Sequence, residues 1–231
     1  MNATTIVPGN KEETLAYAVN HWIETAKKAI AKNGSFRVAL SGGSTPKAIY
    51  EKLSQEHTNS IDWSKVHLFW GDERTVPPTD PESNYKMAMD AGLAKLPIPK
   101  NQIHRMVAET NIEENATAYE QLLSTPLNLV MLGMGEDGHT ASLFPNTAAL
   151  SEKSRLVIPN LIPQKNTTRM TLTFPAINQA HAIVFYVLGD SKKDMIKKIF
   201  HEPEHEFPSQ LIGTPQNKAL WILDSSAAKL K

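Results

Sequence analysis

Two residues that can move protons, Asp137 and His139, stand two positions apart in the stretch LNLVMLGMGEDGHTASLFP at 127–145. A histidine accepts and releases protons near neutral pH, and a neighbouring carboxylate can orient its imidazole. The pair follows an apolar, strand-like run at 127–132 and a glycine-rich turn, and the residues after it resemble a helix start. The stretch therefore predicts acid–base chemistry at the end of a strand.

The glycines of this turn also match two nucleotide-binding patterns. GMGEDG at 133–138 spells the dinucleotide motif G-x-G-x-x-G, and 133–140 would be a P-loop if His139 were a lysine. A dinucleotide site needs an acidic residue about 20 positions further on to hold a ribose, but the nearest one, Glu152, lies in the polar run SEKSR. Imidazole is a weak substitute for the lysine that contacts the phosphates in a P-loop. Acid–base chemistry is therefore favoured over nucleotide binding.

A candidate anion site lies earlier in the chain, where the strand-like SFRVALS (35–41) runs into SGGSTP. Thr45 is predicted to cap the helix that follows, with Pro46 at its first position. Backbone N–H groups and hydroxyls at a helix N-terminus, together with the positive end of the helix dipole, bind anions. The residues that could do so are Gly42, Gly43, Ser44 and Thr45. A tight turn whose glycines only permit close packing is an alternative that stays open.

Charged residues follow two further apolar segments. Asp72 and Arg74 come just after VHLFW, and Lys192 comes just after AIVFYVL. In an α/β sheet the carboxyl ends of the strands form the ligand-binding edge. We expect these residues, joined by Arg169, to face the crevice that holds His139. The arginine and lysine side chains among them would supply positive charge to phosphate oxygens. A solvated loop with an Asp–Arg pair is the alternative for the GDER segment.

Strand-like and helix-like segments alternate along the chain. Strands are predicted at 35–41, 66–70, 103–107, 127–132, 155–158, 169–174, 182–188 and 219–223. Helices are predicted between a capping pair, Asn10 with Glu13, and the stop at Gly34, and then from Pro46 onward, at 83–96, at 112–123 and after Lys193. Residues 201–205 are predicted to be a polar loop whose histidines are not ligands. The alternation favours an α/β fold with a mostly parallel sheet, helices on both faces, and one domain spanning 1–231.

Composition limits the function classes. The 231 residues carry 24 basic and 24 acidic side chains, which argues against a general attraction to nucleic acid or to an anionic membrane. Cysteine is absent, so disulfides and thiolate catalysis are excluded. There is no signal-peptide pattern and no apolar run of the ~20 residues that cross a bilayer. We expect a soluble cytoplasmic protein that acts on a small molecule and has no metal site. The sequence leaves its oligomeric state open, a monomer included.

Three segments together resemble the signatures of one enzyme family. They are SGGSTP at 41–46, GDERTVPPTDPESNY at 71–85 and GMGEDGHTASLFP at 133–145. Their order and spacing are similar to those of the 6-phosphogluconolactonases, which are related to glucosamine-6-phosphate deaminase/isomerase, and the similarity continues through RMT, GDSK and WILDSSAA. The resemblance implies a three-layer α/β sandwich. It also implies hydrolysis of 6-phospho-D-glucono-1,5-lactone, a step of the oxidative pentose phosphate pathway, without a cofactor.

The resemblance also implies how a phosphorylated sugar lactone is held. The 6-phosphate would lie in a cradle formed by Gly42, Gly43, Ser44 and Thr45. Arg169 and Lys192 would supply positive charge to the same phosphate.

For the chemistry, the resemblance places His139 closest to the reacting carbon. We expect His139 to act as general base on the water that attacks C1 and then as acid to the ring oxygen. Asp137 would orient the imidazole or the water. Arg74, or backbone N–H groups of the glycine turn, would stabilise the oxyanion. Asp72 would hold Arg74 or a sugar hydroxyl.

The residue at position 144, Phe144, distinguishes lactone hydrolysis from deamination with isomerisation, the two activities of the family that the sequence resembles. In the isomerase pattern a glutamate five residues past the histidine helps to open the sugar ring, and here that position is Phe144. A phenyl ring cannot transfer a proton, so deamination with isomerisation is disfavoured. A sugar-phosphate-sensing regulator is a second alternative, but residues 1–34 leave no room for the helix-turn-helix that such regulators add. Asn146 stands where lactonases often carry glycine, and asparagine tolerates the left-handed conformation expected there.

Overall fold

The structure of the protein is a computed structural model, and it is described for residues 1–202 and 207–228. The strands within these ranges are β1 (Ala3–Ile6), β2 (Phe36–Leu40), β3 (Val66–Trp70), β4 (Asp72–Arg74), β5 (Leu129–Leu132), β6 (Val157–Ile162), β7 (Thr167–Leu172), β8 (Ile183–Val187) and β9 (Ala219–Leu223). The α-helices are α1 (Lys11–Asn33), α2 (Ser44–Glu56), α3 (Asn84–Asp90), α4 (Ile112–Gln121), α5 (Phe174–Asn178) and α6 (Lys193–His201). Short 3-10 helices lie at Trp63–Lys65, Leu93–Lys95, Lys100–Gln102, Ala148–Ser151, Pro163–Lys165, Asp190–Lys192 and Pro208–Leu211.

The central sheet is parallel throughout its six strands, in the order β1-β9-β8-β5-β2-β3. Trp22 of α1 packs edge-on against Phe36 of β2, and Tyr119 of α4 packs against Phe69 of β3. Phe69 pairs with Ala39, which lies three residues after Phe36 on β2. Because side chains alternate between the two faces along a strand, the rings of Phe36 and Phe69 point to opposite faces of the sheet. The predicted α/β fold, with a mostly parallel sheet and helices on both faces, is confirmed.

A second, antiparallel sheet, with the order β4-β7-β6, was not predicted. Only Gly71 separates β4 from β3, so the chain passes directly from the central sheet into the small one. Both predicted strands after Pro145 are present with shifted bounds: 155–158 becomes Val157–Ile162, and 169–174 becomes Thr167–Leu172. Each is lengthened or moved by the six-residue pairing between β6 and β7.

The ends of α1 confirm the predicted signals. The Asn10 side chain accepts hydrogen bonds from the backbone of Glu12 and Glu13, and the Glu13 carboxylate accepts one from the Asn10 backbone. Gly34 closes the helix with a left-handed φ of 76°, a conformation that costs glycine little.

The start of α2 differs from the prediction. Thr45 is not its cap, because the helix begins at Ser44, two residues before the predicted first position. Gly43, with φ 104°, occupies the N-cap position without any side-chain cap. Pro46 lies in the first turn rather than at the first position. The first-turn N–H groups of α2 are therefore without a side-chain cap of their own, which is the condition an anion ligand requires.

Three other predicted elements are wrong in extent or in kind. The helix predicted at 83–96 ends at Asp90, because Gly92 adopts φ 111° and breaks it. The strand predicted at 103–107 is only an isolated bridge between Ile103 and Leu68. No α-helix begins directly after His139: an isolated bridge joins Thr140 to Leu143, and the next helical turn is a 3-10 helix at Ala148–Ser151.

The first strand and the segment after α6 add detail to the sequence prediction. β1, which was not predicted, has only four residues and becomes a strand by pairing with β9. Of the polar loop predicted at 201–205, His201 ends α6, whereas 203–205 lie outside the described residues. Within 1–202 and 207–228, no helix is long and apolar enough to cross a membrane.

Candidate active site

Two adjoining cavities open at the carboxyl edge of the central sheet. The first, of about 190 Å³, is lined by predicted site residues that include Gly42, Gly43, Asp72, Arg74, His139 and Arg169. The second, of about 200 Å³, is lined by Gly42, Gly43, Ser44, Thr45 and Lys192. Gly42 and Gly43 belong to both, so a single ligand can extend from one cavity into the other. Every predicted site residue except Asp137 therefore lines one or both of these cavities. Asp137 contacts His139 through a hydrogen bond.

The imidazole of His139 is held from one edge. Its Nδ1 lies 2.5 Å from Oδ1 of Asp137, and its backbone N–H also donates to that oxygen at 3.2 Å. The turn closes through a hydrogen bond from the Gly135 N–H to the His139 carbonyl, at 2.9 Å. A Cβ atom at Gly135 would lie 2.1 Å from the imidazole, so only glycine lets the ring pack against this backbone.

The environment of the pair sets its protonation. Burial lowers the pKa of His139 below its usual value, although hydrogen bonding and charge from Asp137 oppose this. For Asp137, partial burial raises the pKa, but hydrogen bonding and charge from His139 outweigh it and the pKa lies below the usual value. At neutral pH the pair is therefore a neutral imidazole beside a carboxylate, which is the state required of a general base.

Asp72 contacts a different arginine from the one expected. Its Oδ2 accepts a hydrogen bond from Ser142 Oγ at 2.6 Å and lies 3.9 Å from Nη1 of Arg169. Arg74 instead donates to the backbone carbonyl of Glu82. Asp72 is thus placed to hold Arg169. Arg74, two residues after Asp72 on β4, lines the first cavity.

The second cavity combines the uncapped start of α2 with a cation. Lys192 lies at the end of the 3-10 helix after β8, and its Nζ donates to the Met134 carbonyl at 2.9 Å. This contact ties the lysine to the glycine turn that follows β5. Backbone N–H groups, two hydroxyls and an ammonium group can therefore converge on an anion at this position.

Comparison with known proteins identifies the family. Residues 9–221 match the family model described as Glucosamine-6-phosphate isomerases/6-phosphogluconolactonase. The chain belongs to this family. The family resemblance inferred from the sequence signatures is therefore confirmed.

Individual members of the family are similar over nearly the whole chain. A 6-phosphogluconolactonase of Chlamydia muridarum is 45% identical over 230 residues, covering 97% of this chain and 89% of that protein. One of Nostoc sp. is 37% identical and covers 98% of each. A solved structure of the 6-phosphogluconolactonase from Trypanosoma cruzi superimposes with a TM-score of 0.86 at 30% identity, covering 98% of this chain and 96% of that one.

Some residues that shape the two cavities were not predicted from the sequence. Asn84, at the start of α3, donates from Nδ2 to the Asp72 carbonyl at 3.0 Å. A Cβ at Gly42 would lie 2.1 Å from Asn84 Oδ1, so glycine is required for this approach. Glu73 is buried behind them and accepts hydrogen bonds from the backbone N–H groups of Asn84 and Tyr85. Asn84 and Glu73 both lie in the GDERTVPPTDPESNY signature, which was the available signal.

The segment after His139 is fixed by the small sheet. Ser142 makes two hydrogen bonds besides its bond to Asp72. Its carbonyl accepts one from Asn160 Nδ2 at 2.8 Å, and its N–H donates one to Thr171 Oγ1 at 3.1 Å.

Asn146 adopts φ 60°, as expected from its tolerance of left-handed backbone. Within the described ranges, no group of three or more His, Asp or Glu side chains could hold a metal ion.

Proposed function

We propose that this chain hydrolyses 6-phospho-D-glucono-1,5-lactone to 6-phosphogluconate. The observation that carries the proposal is geometric: His139, bonded to Asp137, lines one cavity, and an anion cradle lines the adjoining one. A ligand with a phosphate at one end and a reactive carbonyl at the other can occupy both. The relatives named 6-phosphogluconolactonase, similar along almost the whole chain, support the same reaction.

In this proposal the phosphate binds at the start of α2. The residues of the cradle are Gly42, Gly43, Ser44 and Thr45, and Lys192 adds a positive charge. Arg169 lies in the first cavity next to Asp72, so it approaches the ligand from the side that faces His139. We assign Arg169 to the same phosphate as a second source of positive charge, with Asp72 holding its guanidinium.

The reaction begins with His139 as general base. Its Nδ1–H is bonded to Asp137, which leaves Nε2 to accept a proton from water as the water oxygen forms a bond to C1 of the lactone. The carbonyl oxygen becomes an oxyanion, which Arg74 and N–H groups of the glycine turn stabilise. The C1–O bond to the ring oxygen then breaks, and the imidazolium returns its proton to that oxygen, which completes the hydroxy acid.

The decisive experiment compares lactone hydrolysis by the parent protein and by His139→Ala, after subtraction of the spontaneous rate. Loss of a general base costs about 10²–10⁴-fold in kcat, and we expect a fall of that size. His181→Ala is a matched control, because His181 is exposed and lies outside both cavities. Full activity in His139→Ala would show that the base has been assigned to the wrong residue.

The sister activity is tested separately with glucosamine 6-phosphate. Phe144 is fully buried and stands where the isomerase pattern has a glutamate, so no side chain at that position can transfer a proton to the ring oxygen. We expect no ammonia above background. Release of ammonia at a rate comparable to lactone hydrolysis would place the chain with the deaminases.

A further inference from the structure

Phe144 packs against the face of the His139 imidazole, and the reaction scheme above gives this contact no role. The two rings stack with centroids 3.8 Å apart and an angle of 17° between their planes. The guanidinium carbon of Arg169 lies over the same phenyl ring, 5.5 Å from its centroid. The face of an aromatic ring is electron-rich and attracts cations placed over it. Phe144 therefore contacts both a permanent cation and a side chain that becomes a cation during the proposed reaction.

We propose that Phe144 is a positioning residue whose ring face stabilises the imidazolium form of His139. The inference rests on the lactonase function proposed above. When the water oxygen bonds to C1, its proton passes to Nε2 of His139, and the imidazole gains a full positive charge. Asp137 meets this charge at the Nδ1 edge, and Phe144 meets it at the ring face. The charge is lost again when the proton passes to the ring oxygen of the sugar.

The charged groups around His139 explain why such support is useful. Asp137 and Asp72 favour the protonated imidazole, whereas Arg169 opposes it. An imidazolium beside a guanidinium is repelled by it, and that repulsion is greatest at the moment of proton transfer. A ring face that attracts both cations reduces the penalty without adding a group that could itself take up the proton.

The phenyl ring is fixed firmly enough for this role. The side chain of Phe144 is fully buried, and the backbone carbonyl of Phe144 accepts a hydrogen bond from Thr147 Oγ1 at 2.7 Å. The neighbouring Ser142 is bonded to the small sheet through Thr171. The ring and the imidazole are thus carried by one short segment whose backbone is held by hydrogen bonds at both ends.

A simple packing role gives a different expectation. If Phe144 only fills space, another apolar side chain of similar volume should cost some stability and leave the chemistry of His139 unchanged. If the ring face stabilises the imidazolium, removing the face should make His139 harder to protonate even where the fold is kept. The two possibilities therefore differ in the pKa of His139 and in kcat.

The test uses two variants without a ring, Phe144→Leu and Phe144→Met, and one that keeps it, Phe144→Tyr. The pKa of His139 is read from the NMR shift of its imidazole Cε1–H against pH, with the signal identified by its absence in His139→Ala. We expect both ringless variants to lower that pKa and to reduce kcat by about tenfold, with little change in KM. Phe144→Tyr should stay close to the parent protein in both measurements.

Phe185→Leu is the control for loss of a buried aromatic ring. Phe185 is fully buried and stacks on Trp221, outside both cavities, so its replacement should leave the pKa of His139 unchanged. Suppose that the parent protein hydrolyses the lactone and that the pKa of His139 is unchanged or raised in both ringless variants. The proposed role of Phe144 is then wrong, and the proposed function still stands. A parent without lactonase activity overturns the proposed function instead.

Discussion

Arg74 and Arg169 lie directly opposite each other in the antiparallel pairing of β4 with β7. Like charges in this position destabilise a strand pair, and Asp72, 3.9 Å from Arg169, is a carboxylate beside them. Both arginines line the first cavity. A ligand that brings negative charge between them relieves the repulsion, so the resting site is arranged to gain stability from an anion.

Binding of 6-phosphogluconate should therefore stabilise the folded protein. At a ligand concentration about one hundred times Kd, we expect the Tm to rise by roughly 5–10 °C. Arg169→Gln should reduce that rise and increase the KM for the lactone at least about tenfold, because a charge-assisted hydrogen bond is lost. Thermal melts with and without ligand, together with initial rates, measure both effects.

Arg155→Gln is the control for this arginine, since Arg155 pairs with Glu120 and lines neither cavity. It should leave KM and the ligand-induced rise in Tm unchanged. A fall in kcat with unchanged KM in Arg169→Gln would contradict a binding role.

The pH dependence of the reaction follows from the lowered pKa of His139. A base works only when unprotonated, so kcat/KM should stay constant as pH falls through about 6.5, the ordinary histidine value, and decline only below the lowered pKa. Asp137 is a group that raises the pKa of His139, so Asp137→Asn should move the decline to still lower pH and reduce kcat. Rates are measured from about pH 4.5 to 8, with spontaneous hydrolysis subtracted. A decline centred above 6.5, or one that moves upward in Asp137→Asn, contradicts the assignment.

The parallel sheet could be predicted because its buried strands are plain in the sequence. VHLFW, apolar apart from His67, and the wholly apolar ALWIL are bounded by polar turns, and they match β3 and β9 residue for residue. The small sheet could not be predicted in the same way. β4 consists of three charged residues, Asp72–Arg74, and it is a strand only because β7 pairs with it, which is a tertiary effect that local propensity does not report.

The residues that line the two cavities could be predicted from the sequence, as could the contact between Asp137 and His139, but the partner of Asp72 could not. Asp72 holds Arg169 rather than Arg74 because β7, nearly one hundred residues later, lies beside β4. The stack of Phe144 on His139 depends equally on how the chain turns after the imidazole. The roles assigned to these residues, the single domain spanning 1–231 and the cytoplasmic location stay predictions.

Gly135 tests how closely the imidazole must pack on the turn. In Gly135→Ala the new Cβ would lie 2.1 Å from the ring of His139, so we expect the imidazole to be displaced and kcat to fall about 10²-fold. Gly133→Ala is the matched comparison, because its Cβ would meet only ordinary contacts, the nearest 3.7 Å away at Ser41 Oγ. It should lose much less activity. Equal losses in the two variants would show that the turn as a whole, and not the contact with His139, is sensitive.

Ser142 tests the buried polar network that supports Asp72. Ser142→Ala leaves a buried carboxylate oxygen without its 2.6 Å hydrogen bond, so we expect the free energy of unfolding to fall by about 1–3 kcal/mol. Ser151→Ala removes an exposed hydroxyl bonded to the Ala148 carbonyl and should change it by less than about 0.5 kcal/mol. Urea unfolding curves for the two variants give the comparison. Indistinguishable midpoints would mean that water replaces the serine hydroxyl.

Lys192 tests whether the second cavity is the phosphate site. Its ammonium group faces the cradle and contacts the Met134 carbonyl, at a distance from the proposed chemistry. Lys192→Gln should reduce kcat/KM for the phosphorylated lactone by about 10–100-fold, the usual size of a lost charged hydrogen bond. It should leave kcat/KM for the unphosphorylated glucono-1,5-lactone within about twofold.

The ratio of the two kcat/KM values isolates the phosphate contact, because damage to the fold or to His139 lowers both. Lys193→Gln is the control, since the neighbouring Lys193 lines neither cavity, and its ratio should equal that of the parent. An equal loss on both substrates in Lys192→Gln would place the lysine in support of the glycine turn, through Met134, rather than on the phosphate.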